Sequence, residues 1–418
     1  MKREDRDRHL LYDLAARYAE IAYSPIQNER RDLWAKHNSL NITRPPVLVS
    51  FGWWNAWFDE VFGDQAMQCQ DPFYREHERT LRQMLFQHSI GDDTILEPWI
   101  TQRATLIIPP EGLWGIKGAD TDTVLHNHVW HFQRPIKAWA DVRKLKTPHH
   151  CVDRQATERD VSRLQEAIGD LLPIDVNCGP AFQGFSADIS THVALMRGLD
   201  QLMLDMMDYP QQLHELLGYM RDCILAVQAE AEQAGDWSLT TQANQAMTYC
   251  QELERPAANS GPRRRKELWC HCASQEYTLV SPAMHDEFLL QYQLPIIEKF
   301  GLVSYGCCEN LTRKITLLRK IPNLRIIAVT PVANLAKCAE QIGNDFVISW
   351  RPNPTDMVCA GFDPALIQKT IRDALEVTRG QVMHICLKDV ETVQGEPSRL
   401  RRWVRFVKQT IDEYWRQE

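Results

Sequence analysis

The chain has 418 residues, 44% hydrophobic and 24% charged, with a formal net charge of −8 and an isoelectric point near 6.0. These proportions are ordinary for a globular enzyme, and the acidic balance excludes a general nucleic-acid binder, which needs basic surplus to neutralise phosphates. The opening MKREDRDRHL is too charged for a signal peptide and no apolar run is long enough to span a bilayer, so a cytoplasmic location without membrane attachment is expected.

In that compartment the twelve cysteines are expected to be reduced rather than bridged. The first 45 residues are expected as a helical extension. Leu11, Leu14, Tyr18 and Ile21 recur at helical spacing, Pro25 ends that helix, and RRDLWAKHNSL forms a second. PVLVSFGWW (46–54) is the first strand candidate. Trp53 and Trp54 close it and, with Trp57 and Phe58, read either as core beneath a barrel mouth or as a substrate wall. A helix over 71–90 leads to GDDTILEPWI, a second strand ending in Glu97 and Trp99, with Glu97 a substrate-binding candidate.

Gly and Pro punctuation and alternation predict a β-hairpin excursion over 101–140. Its His126, His128 and His131 read either as exposed hairpin side chains or as a metal cluster. Residues 141–172 return to helix. A third strand at 174–185 then feeds a long amphipathic helical segment in which Pro210 suits a first helical position. ERPAANSGPRRRK is expected as a loop. From Glu267 onward strands and helices alternate almost without interruption, and the sum is about eight strands. That pattern predicts an α/β fold, a (β/α)8 TIM barrel formed as a single domain over 1–418, with catalytic groups at the C-terminal strand ends.

Two of those ends carry chemistry. LVSYGCCEN (302–310) climbs from a buried strand into Cys307, Cys308 and Glu309. QVMHICLKDV (381–390) brings His384 and Cys386 on one strand face, with Lys388 and Asp389 beyond. A third cluster, Cys270-His271-Cys272, ends the strand ELWCHC.

RGLDQLMLDMMDYPQQLHELL, SPAMHDEFLLQYQLPIIEKFG, the Cys–x–Asn of CCEN and the strand order to the C-terminus resemble the uroporphyrinogen decarboxylase superfamily over about 190–410. The resemblance implies a (β/α)8 barrel and one of two chemistries. One is metal-free decarboxylation of a tetrapyrrole. The other is zinc-dependent methyl transfer between a corrinoid protein and a thiol or folate acceptor. The decarboxylases' early R-Q-A-G-R loop is replaced here by LVSFGWWNAW. In the methyltransferases' His-x-Cys, Cys308 matches the Cys while Gly306 stands in the His position.

A zinc-dependent methyltransferase is therefore the expectation. Zinc would be held by Cys307, Cys308, His384 and Cys386, with thiolates and imidazole as favoured donors. Glu309, Lys388 and Asp389 are the catalytic candidates and Trp53, Trp54 and Glu97 the substrate contacts. The corrinoid (cobalamin) would come from a partner protein, and the other partners are a small methyl acceptor or donor and a second copy in a homodimer. The alternatives left open are a decarboxylase-type lyase and a non-catalytic corrinoid- or tetrapyrrole-binding barrel.

Overall fold

A computed structural model describes residues 3–52, 56–118, 133–359 and 361–415. Two helices come first, α1 (Arg3–Ala22) and α2 (Pro25–Asn38). Pro25 opens the second rather than ending the first, because a proline ring presets φ where no intrahelical N–H bond is needed.

Eight strands follow among the described residues: β1 (Val47–Phe51), β2 (Ile100–Arg103), β3 (Ile174–Asn177), β4 (Trp269–Cys272), β5 (Leu302–Tyr305), β6 (Leu324–Val329), β7 (Val347–Trp350) and β8 (Met383–Val390). Six pair in the order β1-β8-β7-β6-β5-β4, and β2 and β3 pair separately. Every one of these pairings is parallel. The result is a mixed α/β architecture in which the six-stranded sheet curls into a half-barrel backed by helices. A closed eight-stranded barrel is not observed, since among the described residues neither β1 with β2 nor β3 with β4 forms a ladder.

The break at β1 has a physical cause. The sequence predicted a strand from Asp93, yet the strand begins only at Ile100. The carboxylates of Asp92 and Asp93 instead turn onto the edge of β1, where Asp93 accepts from Val47 N and Asp92 from Val49 N, each at 2.9 Å. They satisfy the edge donors that a neighbouring strand would have taken, which is one way of covering a sheet edge. At the opposite edge Ala243 N donates to Trp269 O and Gln242 Oε1 accepts from Trp269 N.

Residues alternate between the two faces of the half-barrel. Val303, Tyr305, Ile348, Trp350, Met383, Ile385 and Leu387 join one large apolar cluster with the surrounding helices. The concave face begins with an apolar plug of Trp269, Leu302, Ile326 and Val347. Above it the same face turns polar, with His271, Ser304, Ser349, His384 and Arg351, all buried. α2 and the segment 242–250 lie against this face. Trp34 donates to Asp93 O, and Asn38 Nδ2 donates to the carbonyls of Met247 and Tyr249.

No hairpin strands occur in the described parts of 101–140 beyond β2 itself. His126, His128 and His131 lie outside the described residues. Among the described residues no helix is long and apolar enough to cross a membrane.

Candidate functional site

The site is built where β5, β7 and β8 end. β5 stops at Tyr305, and Gly306 takes φ +104. A Cβ there would meet Leu311 Cδ1 at 2.8 Å and Ala328 Cβ at 2.9 Å, so both the turn and the close approach require glycine. Because the strand has ended, the next two residues escape strand alternation. The sulfurs of Cys307 and Cys308 lie 3.4 Å apart, Cys307 buried and Cys308 exposed.

Three groups hold this pair. Glu309, 1% exposed, accepts from Cys307 N at 2.7 Å and from Ser274 N and Oγ at 2.8 and 3.0 Å. Both its oxygens are occupied in clipping the thiol turn to the loop after β4, so the expected catalytic carboxylate is a loop clip in this structure. Arg351, immediately after β7, donates through one terminal nitrogen to Cys307 O and through the other to Gln245 Oε1 and, at 3.5 Å, to Gly306 O. Lys388, on β8, pairs with Asp389 and lies 3.8 Å from Cys308 Sγ, while Asp389 Oδ2 lies 3.7 Å from the same sulfur. Lys388 and Asp389 are therefore brought to the thiol pair, and they lie within β8 rather than past it.

Charge distribution sets the thiol chemistry. A hydrogen bond from the Cys308 thiol, then the Lys388 and Arg351 charges, hold Cys307 below the ordinary thiol range, at about 7, against the opposing effect of burial. Cys308 is pushed up by the same contact and by burial. Burial works against the Lys388 ammonium, yet Cys307, Asp389 and Cys308 hold it above its usual value.

The remaining predicted residues lie elsewhere. His384 is the second residue of β8, far down the concave face, and both its ring nitrogens are engaged: Nδ1 with His37 Nε2 at 3.1 Å and Nε2 with Ser349 Oγ at 2.8 Å. Cys386 is buried with Trp34, Leu48 and Tyr249, and burial pushes its thiol up. Glu97 accepts from Tyr249 Oη at 2.7 Å and pairs with Arg31 at 3.0 Å. Trp53 and Trp54 lie outside the described residues.

The four expected zinc ligands are thus not gathered. Among the described residues no three His, Cys, Asp or Glu side chains form a group able to hold a metal ion. The cation standing beside Cys308 is the Lys388 ammonium itself. These residues do not fit zinc as the expected set required.

Sequence reasoning missed Arg351 and Gln245, and it read His271 only within the Cys270-His271-Cys272 cluster, as core packing or as part of a ligand set. Arg351 directly follows the strand VISW, so the rule that singled out CCEN applies to it equally. Alternation separates Cys270-His271-Cys272: the two cysteines join the helix-facing cluster, while His271 faces inward and bonds Ser304 Oγ through Nδ1 at 2.9 Å.

No family model matches the chain, and no curated protein matches it. Among solved structures the chain is similar to a methyltransferase from Methanosarcina mazei, with 11% identity over 92% of this chain and 99% of that one and a TM-score of 0.49.

Proposed function

We infer that this chain is a methyltransferase whose transfer centre is the mouth above Cys307 and Cys308. The observation that carries this reading is the vicinal thiol pair fixed at a strand end beside the Lys388 ammonium. The sequence resemblance around CCEN supplies the reaction class. The methyl donor in this reading is a corrinoid on a partner protein, and the acceptor is a small thiol. The uroporphyrinogen decarboxylase-like frame is read as an opened barrel. All twelve cysteines are free, and a reducing compartment, the cytoplasm, is the setting assumed.

An acceptor thiol entering the mouth meets Lys388 and Arg351, whose charges favour its thiolate. Cys307, with a pKa near working pH, takes the proton, which is where a general base is most effective. The acceptor sulfur forms the new S–C bond as the methyl group leaves its donor. The bonding pair stays with the donor, and the proton on Cys307 returns to solvent. Asp389 holds the Lys388 ammonium in place.

The test supplies methylcobalamin and 3-mercaptopropionate, following the loss of the methyl–cobalt absorbance and formation of the methyl thioether by mass spectrometry. Wild type should turn over, with Lys388→Met and Cys307→Ser each lower by about 100-fold. Absence of methylated product with wild-type protein, a thioether from thiol acceptors or an N-methyl product from a reduced folate, would overturn the reading.

A further inference from the structure

Adjacent residues of an extended strand point to opposite faces, so neighbouring thiols ordinarily cannot touch. Cys307 and Cys308 escape that rule because β5 has ended at Tyr305 and Gly306 turns the chain at φ +104. Of the twelve cysteines, all free, they are among the described residues the pair whose sulfurs meet, at 3.4 Å. Their two sides are held unequally. Cys307 N donates to Glu309 Oε2 at 2.7 Å and Cys307 O accepts from Arg351, so that residue is fixed through both its peptide groups. Cys308 is exposed, and its sulfur has only long contacts, 3.8 Å to Lys388 Nζ and 3.7 Å to Asp389 Oδ2. A disulfide needs sulfurs about 2.05 Å apart, so the pair has about 1.4 Å to close. Turning the exposed Cys308 side chain about its Cα–Cβ bond supplies that distance. The other thiols lack one half of this combination. Cys270 and Cys272 share a face of β4 but are buried, and strand spacing keeps them roughly 7 Å apart. Cys151 is exposed but meets no second sulfur among the described residues.

We propose that Cys307 and Cys308 form an oxidative modification site, a dithiol that a hydroperoxide closes to a vicinal disulfide and a reduced dithiol reopens. The thiolate of one sulfur attacks an oxygen of hydrogen peroxide, and the O–O bond breaks. The departing hydroxide takes a proton from the Lys388 ammonium, which regains one from solvent, and a sulfenic acid remains. The neighbouring sulfur then forms the S–S bond, and hydroxide leaves the sulfenic acid as water with the second thiol's proton. In sum two thiols lose two electrons and two protons, and one peroxide becomes two waters. Whichever sulfur is attacked first, the resolving thiol already stands at contact distance. Reduction by a dithiol reverses the bond through thiol–disulfide exchange. The site needs no methyl transfer to exist. Where the transfer reaction does run, the disulfide removes the thiolate at the mouth and so switches it off.

The test treats the reduced wild-type chain with hydrogen peroxide, blocks the remaining thiols with iodoacetamide and follows tryptic peptides by mass spectrometry. Cleavage after Lys299 and Arg313 releases FGLVSYGCCENLTR, with Cys307 and Cys308 as its cysteines, and cleavage after Lys146 and Arg154 releases Cys151 alone as the exposed control. The first peptide should lose two hydrogens and refuse iodoacetamide at both sulfurs, about tenfold faster than Cys151 is oxidised. Dithiothreitol should restore both thiols. The single-thiol variants Cys308→Ala and Cys307→Ser cannot close the bond, and at least one of them should trap dimedone, a reagent for sulfenic acids, at the cysteine that is left. If both thiols stay alkylatable at peroxide levels that oxidise Cys151, the site is overturned. Gain of oxygen without loss of hydrogen, or a cross-link to a second chain, overturns the vicinal bond. No dimedone label in either variant, with the disulfide formed in wild type, overturns the sulfenic route. A disulfide in protein that transfers no methyl group keeps this site and loses the reaction, whereas methyl transfer by a pair that resists peroxide does the reverse.

Discussion

The concave face of the half-barrel holds two polar regions that differ in how completely they are bonded. Low on the face, His37, His384 and Ser349 form a short chain of hydrogen bonds at 3.1 and 2.8 Å, with Trp34 packed edge-on against both rings. Higher, at the mouth, Arg351 Nε and His271 Nε2 are buried without a partner among the described residues, and two thiols stand next to an ammonium. Burial is similar in the two regions, and hydrogen-bond saturation is what separates them. A filled network specifies the interior and has little capacity left for a ligand, whereas an unfilled one retains polar atoms that have yet to meet a partner.

The largest effect expected from this contrast is on stability. His384→Leu removes both bonds of the lower chain and leaves His37 Nε2 and Ser349 Oγ buried without partners. A loss of about 3 kcal/mol is expected in urea unfolding. The same variant should keep the midpoint of Cys307 alkylation near 7 wherever it is folded. A rise of that midpoint to the ordinary thiol range in folded protein would show that the two regions are one unit.

A smaller effect separates the regions by pH. Burial holds His37 at about 3 and His384 well below its ordinary value. Their contribution to stability is therefore complete above the usual histidine value near 6.5 and is lost as the pH falls from there towards the depressed values. Asp188 has the opposite sign. Burial, then the neighbouring Glu276, raise its pKa well above the usual carboxylate value. Thr191 Oγ1 lies 3.3 Å from Asp188 Oδ2 and 2.9 Å from Glu276 Oε1. One hydroxyl hydrogen serves only one of them, so the other contact needs a protonated carboxyl. The Asp188 contribution is complete below the ordinary carboxylate pKa near 4 and declines as pH rises through the raised one. Asp188→Asn should flatten the decline in melting temperature between pH 5 and 8, with a gain on the order of 1 kcal/mol at pH 8. The loss below pH 6.5 should remain. An unchanged slope on the alkaline side would sink the assignment to Asp188.

The sequence made the second half of the fold readable because each strand there is a short, continuously apolar run between helix signals, as in VISW and LRIIAV. The first half was less readable for a reason of range. That Asp92 and Asp93 would cap the edge of β1 depends on partners 43 and 46 residues away, which no local pattern records. Of the basic run at 263–266, expected as a loop, Arg263 and Arg264 lie in irregular backbone while Arg265 and Lys266 open a short 3-10 turn in which Arg265 is buried, and Arg263 and Arg265 pair with Glu254 and Glu232. At the site, the shared face of His384 and Cys386 was legible from their spacing, but depth along β8 was not. At roughly 3.3 Å per residue, His384 lies about 13 Å below Lys388. Periodicity gives the face of a strand residue, and only the strand's ends give its height. Cys307 and Cys308 were legible as a pair, and the turn at Gly306 that aligns them follows from the close approach of Leu311 and Ala328.

The finest test concerns the thiol pair itself. The leading cause of the low Cys307 value is the hydrogen bond from Cys308, ahead of Lys388 and Arg351. Cys308→Ser keeps a donor at that position, whereas Cys308→Ala removes it. The pH profile of Cys307 alkylation by iodoacetamide should have its midpoint near 7 in wild type. It should stay close to that in Cys308→Ser and move up towards the ordinary thiol range in Cys308→Ala. For a midpoint moved up by about 1 to 1.5 units this amounts, at pH 7, to a thiolate fraction and rate lower by roughly five- to fifteenfold in the alanine variant, since the thiolate is the nucleophile. If both variants keep the wild-type midpoint, the two cations alone set the thiolate, and Cys308 serves the mouth by its shape. If both move up equally, the sulfur of Cys308 rather than a generic donor is required. In either case the open region at the mouth is defined by Arg351 and Lys388, and the thiol pair is what those cations act upon.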